Sequence, residues 1–401
     1  MPVGNRKNIL YRLTLPVFGL RCRWRGVSCE PGEGAASPAR DLSRAVERVF
    51  RRHHVVGGCV QVIRGGTLAE RYAAGYADLA LREAVTPGTL FRTASVAKMA
   101  CALLVMRLQT RGLLDVHEDI SALWGAPIRN PQHPDTPIPL CSLLSHTSGL
   151  MDSPLYFQSF GRAVTVDEIL ADGACFTTRE PGQRFQYSNF AAGLVGCLLE
   201  RRFGVSLATL AQRELFDPLE ARATFDLASL VGTPPASSYR VLPPSRRPAF
   251  DAPRRLRDAR PILAPDPQRH YLLASGSLFL TAEALARLAL PVVNGGHAAR
   301  GVFLSLEAVS HMKTPSTAWP EPEVRMRHGM GLLEVDDRKV SKNRLYGHQG
   351  FAYGAVNGVF LDERGSGFAS LNSGASEQRL GHLSLLNRDL IDLLLNGDGY
   401  A

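Results

Sequence analysis

The chain has 401 residues, of which 45% are hydrophobic and 21% are charged. This composition is typical of a globular protein with a large core in one or two closely packed domains, and it excludes a disordered chain. The net charge is +9, but residues 1–52 carry 11 Lys or Arg against 4 Asp or Glu and so account for +7 of it. Because the rest of the chain is nearly neutral, nucleic acid is excluded as the expected partner.

Residues 1–39 have no periodic apolar face, and we expect them to form a disordered N-terminal tail. The apolar run at residues 9–20 is interrupted by Arg12 and Pro16. It is therefore a poor secretory signal and too short to span a bilayer as an integral membrane segment. A targeting sequence, a peripheral anchor and an overextended reading frame remain alternatives for this tract, and a cytoplasmic location is favoured.

The cysteines and histidines do not form a pattern that indicates a metal site or a disulfide framework. An odd number of cysteines is scattered without Cys-x-x-Cys pairing. Cys101 and Cys197 fall in apolar runs, where we expect them to be buried. The adjacent His53 and His54 are expected at a helix C-terminus. The cysteines are residues 22, 29, 59, 101, 141, 175 and 197.

The first elements predicted in chain order are one helix and two strands. Residues 40–52 alternate arginine with apolar residues in the manner of a helix. Residues 60–64 and 70–76 resemble strands, and Gly65 and Gly66 between them indicate a turn.

Residues 93–98 are the most informative stretch, because they place Ser95 and Lys98 three residues apart at the start of a long apolar run. Positions i and i+3 share a helix face, so Lys98 can donate a hydrogen bond to the Ser95 hydroxyl. The unpaired N–H groups at the helix start stabilise developing negative charge. This pattern predicts a covalent serine nucleophile, whereas the simpler interpretation is a capped helix start followed by a solvated lysine.

The stretch from residue 95 to about residue 294 is predicted to be mainly helical, and two segments in it stand out. Tyr187, Ser188 and Asn189 precede an apolar helical run. Residues 234–270 are rich in proline and arginine, which is typical of a solvated loop. The functional alternative is a flap over a cleft, in which arginines recognise an acidic group.

The last quarter of the chain alternates as antiparallel strands do, and residues 377–395 are predicted to close it with an amphipathic helix. The segment Tyr-Gly-His-Gln-Gly-Phe at residues 346–351 lies in these strand-like surroundings. The strand predictions are residues 330–335, 345–346, 355–361 and 367–371.

Taken together, these segments resemble the serine β-lactamase and penicillin-binding-protein group, and within it the class C β-lactamase-like serine hydrolases, which include carboxylesterases and D-aminopeptidases. Ser95 and Lys98 match its S-x-x-K element, and Tyr187 to Asn189 match its Tyr-x-Asn element. Residues 143–150, Leu-Leu-Ser-His-Thr-Ser-Gly-Leu, are similar to its LLxHTSGL segment. The resemblance covers residues 40–397.

The resemblance implies an α+β, β-lactamase/transpeptidase-like fold. An antiparallel sheet, built from residues 40–94 and 328–397 at both chain ends, would be flanked by helices. Residues 95–327 would form a mainly helical inserted subdomain, with the active site in the cleft between the two regions.

The resemblance also implies roles for the site residues. Ser95 would be the nucleophile, and Lys98 and Tyr187 would act as a coupled unit of which either could take the proton. The backbone N–H groups of Ser95 and Phe351 would hold the oxyanion, with Gly350 allowing close approach. Asn189 would orient the substrate and Lys98. His348 would contact Tyr187 or the substrate, although a satisfied strand-edge histidine is the alternative.

The third family element departs from its usual form, because His348-Gln349-Gly350 replaces Lys-Thr-Gly. A neutral imidazole and an amide hold a substrate carboxylate less firmly than a lysine does, which disfavours β-lactam hydrolysis. We therefore expect a metal-independent, cofactor-free serine hydrolase that forms an acyl-Ser95 intermediate on small esters or on small or D-configured amides, with acyl transfer as a variant. The alternatives are a β-lactamase and a penicillin-binding or ligand-sensing domain without turnover; the oligomeric state is left open.

Overall fold

The computed structural model describes residues 28–30, 40–230, 232–242, 245–249, 259–318 and 323–397. Apart from residues 28–30, the expected disordered tail lies outside the described residues. Ser28–Glu30 differs from that expectation, because it forms an edge strand that pairs with residues 71–73. The backbone groups of residues 71–73 would otherwise be unpaired at the edge of the sheet, and pairing with Ser28–Glu30 covers them.

An antiparallel sheet built from both ends of the chain forms the centre of the fold, as the sequence predicts. The strands of this 10-stranded sheet are β1 Ser28–Glu30, β2 Gly57–Arg64, β3 Thr67–Asp78, β4 Glu83–Ala84, β12 Thr317–Ala318, β13 Met326–His328, β14 Leu333–Val335, β15 Leu345–Ala352, β16 Ala355–Asp362 and β17 Gly367–Asn372. Their order in the sheet is β1-β3-β2-β17-β16-β15-β14-β13-β12, with β4 paired to β3.

Shorter strands pair outside this sheet. β5 Phe91–Arg92, β6 Ala223–Thr224 and β9 Phe279–Leu280 form a three-stranded sheet in the order β5-β9-β6. Three hairpins complete the described strands: β7 Tyr239–Leu242 with β8 Ser245–Pro248, β10 His297–Ala298 with β11 Gly301–Val302, and β18 Arg379–Leu380 with β19 Leu383–Ser384.

Helices cover both faces of the sheet. The described α-helices are α1 Arg40–Arg52, α2 Val96–Thr110, α3 Ile120–Trp124, α4 Leu140–Leu144, α5 Pro154–Gln158, α6 Val166–Ala171, α7 Asn189–Phe203, α8 Leu207–Ala211, α9 Tyr271–Gly276, α10 Ala282–Val293, α11 Leu306–Lys313 and α12 Leu385–Ile391. A π-helical turn follows α8 at Gln212–Phe216, another follows α12 at Asp392–Asn396, and a 3₁₀ turn lies at Leu227–Leu230.

Both faces of the sheet are buried, and every residue of its central strands β16 and β17 is buried. Successive side chains of a strand point to opposite faces. In β16, Val359 and Leu361 belong to the core around α2, whereas Val356 and Phe360 belong to the core beneath α1 and α12. Helix α2 is apolar on all sides because it lies inside the larger core.

The predicted boundaries hold best near the N-terminus. Helix α1 matches residues 40–52, and His53 continues its last turn through a backbone bond to Val49. Gly65 and Gly66 have φ of 54° and 74°, which supports the predicted turn because glycine adopts positive φ without steric cost. The strands on either side are longer than predicted.

Two segments contain less helix than the sequence predicts. Between α2 and α7 the chain forms only short helices joined by loops, so the expectation of a mainly helical stretch fails there. Residues 379–384 form the β18–β19 hairpin, and the closing helix begins only at Leu385. The hairpin is favoured because Gly381 has φ of 56° and Gln349 of β15 donates a 2.6 Å hydrogen bond to the His382 carbonyl.

The prediction that Cys101 and Cys197 are buried is confirmed. Their thiols are free, as are those of Cys59, Cys141 and Cys175. Within the described ranges, no helix is both long enough and apolar enough to cross a membrane.

Candidate active site

The turn between β5 and α2 places Ser95 at the N-cap of α2. Ala94 just before it has φ of +53°, a left-handed conformation that costs free energy for any residue with a Cβ. The backbone of Thr93 is fixed by a 2.9 Å bond to the Leu278 carbonyl of the neighbouring segment. The serine therefore sits on a strained turn that its surroundings hold in place.

Lys98 lies one turn below Ser95, and its side chain is 5% exposed. The Lys98 Nζ is 3.3 Å from Ser95 Oγ, 2.9 Å from Asn189 Oδ1 and 2.6 Å from the Ser275 carbonyl oxygen. The Asn189 Oδ1 and the Ser275 carbonyl oxygen can only accept hydrogen bonds, so two N–H groups of the lysine point at them. The remaining position of the nitrogen faces the Ser95 hydroxyl, as the i, i+3 spacing predicts.

Asn189 is the first residue of α7 and is held by a carboxylate that sequence reasoning missed. Asp152 accepts hydrogen bonds from Asn189 Nδ2 at 2.8 Å, from the Phe190 backbone N–H at 2.8 Å and from Ser188 Oγ at 3.1 Å. A carboxylate at a helix N-terminus is stabilised by unpaired N–H groups and by the helix dipole. Its signal in the sequence was its position just after the family-like segment at residues 143–150.

Tyr187 lies beside Lys98 and stacks on His146, another residue to which the sequence assigned no role. The two ring centroids are 4.4 Å apart, and Lys98 Nζ is 5.1 Å from the centroid of the Tyr187 ring. His146 Nδ1 accepts a 3.3 Å bond from the Ser188 backbone N–H. Burial lowers the pKa of His146 well below its usual value, so this ring is neutral beside Lys98.

Two more histidines continue this cluster. His348 lies inside β15 and not at its end, and its ring centroid is 6.0 Å from that of His328 on β13. Each donates Nδ1–H to a backbone carbonyl, of Gln349 and Gly329 respectively. Burial lowers the pKa of His348 to about 3 and that of His328 to about 4, so both are neutral near pH 7.

The Gln349 side chain forms its hydrogen bonds with other residues of the protein. Besides donating to the His382 carbonyl, its Oε1 accepts from the Ser384 backbone N–H at 3.2 Å and from Asn387 Nδ2 at 3.3 Å. Gln349 therefore ties β15 to the β18–β19 hairpin and to α12. It occupies the sequence position of the family threonine, but its hydrogen bonds are structural.

Gly350 brings β15 against the start of α2. A Cβ built at this glycine would lie 2.9 Å from the Ser95 backbone nitrogen, closer than a Cβ can come to another atom without displacement. The next residue, Phe351, carries the Arg379 guanidinium over its ring, with 3.8 Å from Cζ to the centroid. The backbone around Ser95 N–H and Phe351 thus comes together only because residue 350 lacks a side chain.

A cavity of about 360 Å³ opens on this group. It is lined by all of the predicted site residues except Lys98 and Gly350, together with residues that the sequence did not indicate. The lining residues are Ser95, Tyr187, Asn189, His328, Leu333, His348, Gln349, Phe351, Arg379 and His382. Arg379 supplies a cation at the cavity although the lysine of the family's third element is missing.

The histidine cluster does not amount to a metal site. Across the part of the chain that the structure describes, no group of three or more His, Cys, Asp or Glu side chains is arranged to hold a metal ion.

Comparison with known proteins identifies the family. The family model described as Beta-lactamase matches residues 39–388. The chain belongs to the Beta-lactamase family. It is 31% identical over 208 residues to Esterase EstB of Burkholderia gladioli, covering 47% of this chain and 51% of that protein. It is also 31% identical over 187 residues to the D-aminopeptidase of Gluconobacter oxydans strain 621H, covering 44% and 34%.

Solved structures share the fold over nearly the whole chain. EstCE1, a hydrolase with promiscuous acyltransferase activity, superposes with a TM-score of 0.70 at 22% identity, covering 88% of this chain and 98% of that one. The D-amino acid amidase of Ochrobactrum anthropi SV3 gives a TM-score of 0.65 at 21% identity, covering 88% and 98%. These likenesses confirm the predicted β-lactamase/transpeptidase-like fold.

The family match confirms the predicted membership of the β-lactamase-related group. The chain spans about half or less of the length of the relatives just named from Burkholderia and Gluconobacter.

Proposed function

We propose that this protein is a serine hydrolase that cleaves small esters, or small or D-configured amides, through an acyl-Ser95 intermediate. The observation that carries the proposal is the position of Lys98 Nζ, which faces Ser95 Oγ and is fixed by Asn189 and the Ser275 carbonyl. A serine hydroxyl is a weak nucleophile near neutral pH and needs a proton acceptor within reach. The buried lysine and the adjacent Tyr187 supply that acceptor together.

In the first step, Ser95 Oγ forms a bond to the substrate carbonyl carbon while its proton passes to the Lys98–Tyr187 pair. The carbonyl π electrons move onto its oxygen, which becomes an oxyanion. The backbone N–H groups of Ser95 and Phe351 are the donors proposed for it, and the α2 dipole adds to their effect. The missing side chain at Gly350 is what allows the two segments to approach each other.

In the second step, the bond to the leaving oxygen or nitrogen breaks and that atom takes the proton back from the pair. Water then attacks the acyl-Ser95 ester with the same groups as base, which releases the acid and restores the hydroxyl. An alcohol or amine in place of water would give acyl transfer. His348 and His146, both neutral, surround the pair without adding a second positive charge to it.

The relatives support esters and D-amino-acid amides as the substrate class. One is named as an esterase, another as a D-aminopeptidase, and a structural neighbour as a D-amino acid amidase. The position of the family lysine holds His348, whose pKa is lowered by burial, so no charged group stands there. We therefore expect kcat/KM for short neutral esters to exceed that for β-lactams.

The test is turnover of p-nitrophenyl butyrate and of nitrocefin by the wild type and by Ser95→Ala, with intact-protein mass spectrometry after a fluorophosphonate. We expect ester turnover and a single adduct on Ser95, both lost in Ser95→Ala while the far-UV spectrum is unchanged. An adduct on Ser145 or Ser188 would contradict the mechanism. Nitrocefin hydrolysis as fast as that of the best ester would indicate a β-lactamase, and stoichiometric labelling without turnover would indicate a sensor.

A further inference from the structure

A second cavity, of about 230 Å³, lies on the other side of Ser95. Ser95, Asn189 and Phe351 line both cavities, so the nucleophile stands between them. Tyr187 and His348 line only the first. The two halves of a substrate bound across Ser95 therefore have different surroundings.

The proposed mechanism assigns the leaving group and the acyl group of the substrate to different cavities. The leaving atom must take a proton from the Lys98–Tyr187 pair, so it has to face Tyr187. The leaving group then occupies the first cavity, and the acyl group occupies the second.

The second cavity combines positive charge with aromatic walls. Arg92 and Arg240 line it, and among the described residues that form its lining none is acidic. The Arg92 guanidinium carbon is 4.8 Å from the centroid of the Tyr353 ring, a cation–π contact that holds it at the cavity. The remaining aromatic walls are Tyr156, Phe157 and Phe160.

Arg240 is exposed but its backbone is well anchored. It lies on β7 next to Tyr239, which is buried and whose hydroxyl accepts a 2.8 Å bond from the Leu79 N–H. The Tyr239 N–H donates to the Ser373 carbonyl at 2.7 Å, and Gly354 leaves room for the Tyr239 carbonyl. The β7–β8 hairpin belongs to the proline- and arginine-rich insert, so this part of the insert reaches the site as the flap hypothesis requires.

We propose that the second cavity is the acyl subsite and selects acyl groups that have a short apolar stem and end in a carboxylate. Two guanidinium groups attract a carboxylate and repel an ammonium. Half-esters and half-amides of dicarboxylic acids fit these surroundings, whereas D-amino-acid amides with a free amino group do not. This inference rests on the proposed function.

The experiment compares p-nitrophenyl hemiadipate with p-nitrophenyl hexanoate, whose acyl groups have equal numbers of carbons and differ in the terminal carboxylate. Rates with Ser95→Ala are subtracted as the blank. We expect kcat/KM for the hemiadipate to be at least about fivefold higher and to fall with ionic strength, while that for the hexanoate does not.

Arg240→Gln is expected to lower the hemiadipate-to-hexanoate ratio of kcat/KM by about threefold, and Arg92→Gln/Arg240→Gln to lower it further. Exposed ion pairs give effects of this size. The control is Arg247→Gln, because Arg247 is the cross-strand neighbour of Arg240 on the same hairpin and does not line the cavity. The control should keep the wild-type ratio.

The outcomes separate the two proposals. Turnover of both esters with equal kcat/KM, or an equal effect of Arg240→Gln and Arg247→Gln on the ratio, would overturn the subsite and leave the hydrolase intact. Absence of Ser95-dependent turnover of either ester would overturn the proposed function itself.

Discussion

At the scale of single residues, the site depends on how a few polar groups are held. Lys98 has fixed acceptors, and Asn189, one of them, is in turn held by Asp152. Ser95 and Lys98 were predicted because the helical repeat puts positions i and i+3 on one face. Asp152 was not, because it is far from Asn189 in the sequence and meets it only when the loop after residue 150 packs against α7.

Lys98→Ala and Tyr187→Phe are each expected to lower kcat for ester hydrolysis by roughly 10²–10⁴, the usual contribution of a general base. The double variant should lose little more than the worse single variant, because the two groups act as a unit. Steady-state kinetics with p-nitrophenyl butyrate measure this, after correction for the Ser95→Ala blank. Losses that multiply would indicate separate roles.

Asp152→Asn is expected to lower kcat about tenfold or more and the free energy of unfolding by about 1–3 kcal/mol. The amide loses one acceptor and points a donor at groups that themselves donate. The matched control is Asp135→Asn at an exposed position. Urea unfolding and kinetics measure both effects, and an unchanged kcat at reduced stability would mean that Asp152 does not position Asn189.

At the scale of elements, β15 organises the site from two sides. Its Gly350 lies against the start of α2, and its Gln349 binds the β18–β19 hairpin and α12. The sequence predicted a strand only at residues 345–346, because the glycine and polar residues that follow have low strand propensity. In the structure, pairing with β16 extends the strand to Ala352.

Gly350→Ala is expected to reduce kcat/KM for esters by at least about a hundredfold. The added methyl group would come within 2.9 Å of the Ser95 nitrogen and force β15 away from the nucleophile turn, which separates the two proposed oxyanion donors. Gly232→Ala is the control, because a Cβ there meets nothing within 4 Å. Wild-type kinetics in Gly350→Ala would show that close approach at this position is not needed.

At the scale of the whole molecule, three buried histidines from distant parts of the chain meet at the site: His328 on β13, His348 on β15 and His146 in the loop after α4. Burial holds the pKa of His328 at about 4 and that of His348 at about 3, below the value of 6.5 expected in the unfolded chain. The unfolded chain therefore binds protons between pH 6.5 and about 4 that the folded protein does not. Stability from this source is complete above pH 6.5 and is lost as the pH falls through that window.

We expect the free energy of unfolding to fall between pH 7 and pH 5, with each such histidine adding a slope of up to about 1.4 kcal/mol per pH unit. His328→Gln should reduce the slope by the contribution of close to one proton, which is up to about 1.4 kcal/mol per pH unit. The control is His297→Gln, at an exposed position, which should keep the wild-type slope. Urea unfolding at pH 7, 6 and 5 measures the slopes; equal slopes in His328→Gln and the wild type would contradict the prediction.

The sequence by itself predicted strands at both chain ends and, through the spacing of Ser95 and Lys98, the candidate nucleophile, because periodicity and spacing are local properties of a chain. The fold class and the role of Tyr187 followed from the motifs that resemble the family. Only the tertiary structure decided the hairpin at residues 379–384, the carboxylate of Asp152, the neutral histidine cluster and the arginines at the two cavities. Each of those depends on contacts between segments far apart in the chain, and burial and cross-strand pairing override local propensity there.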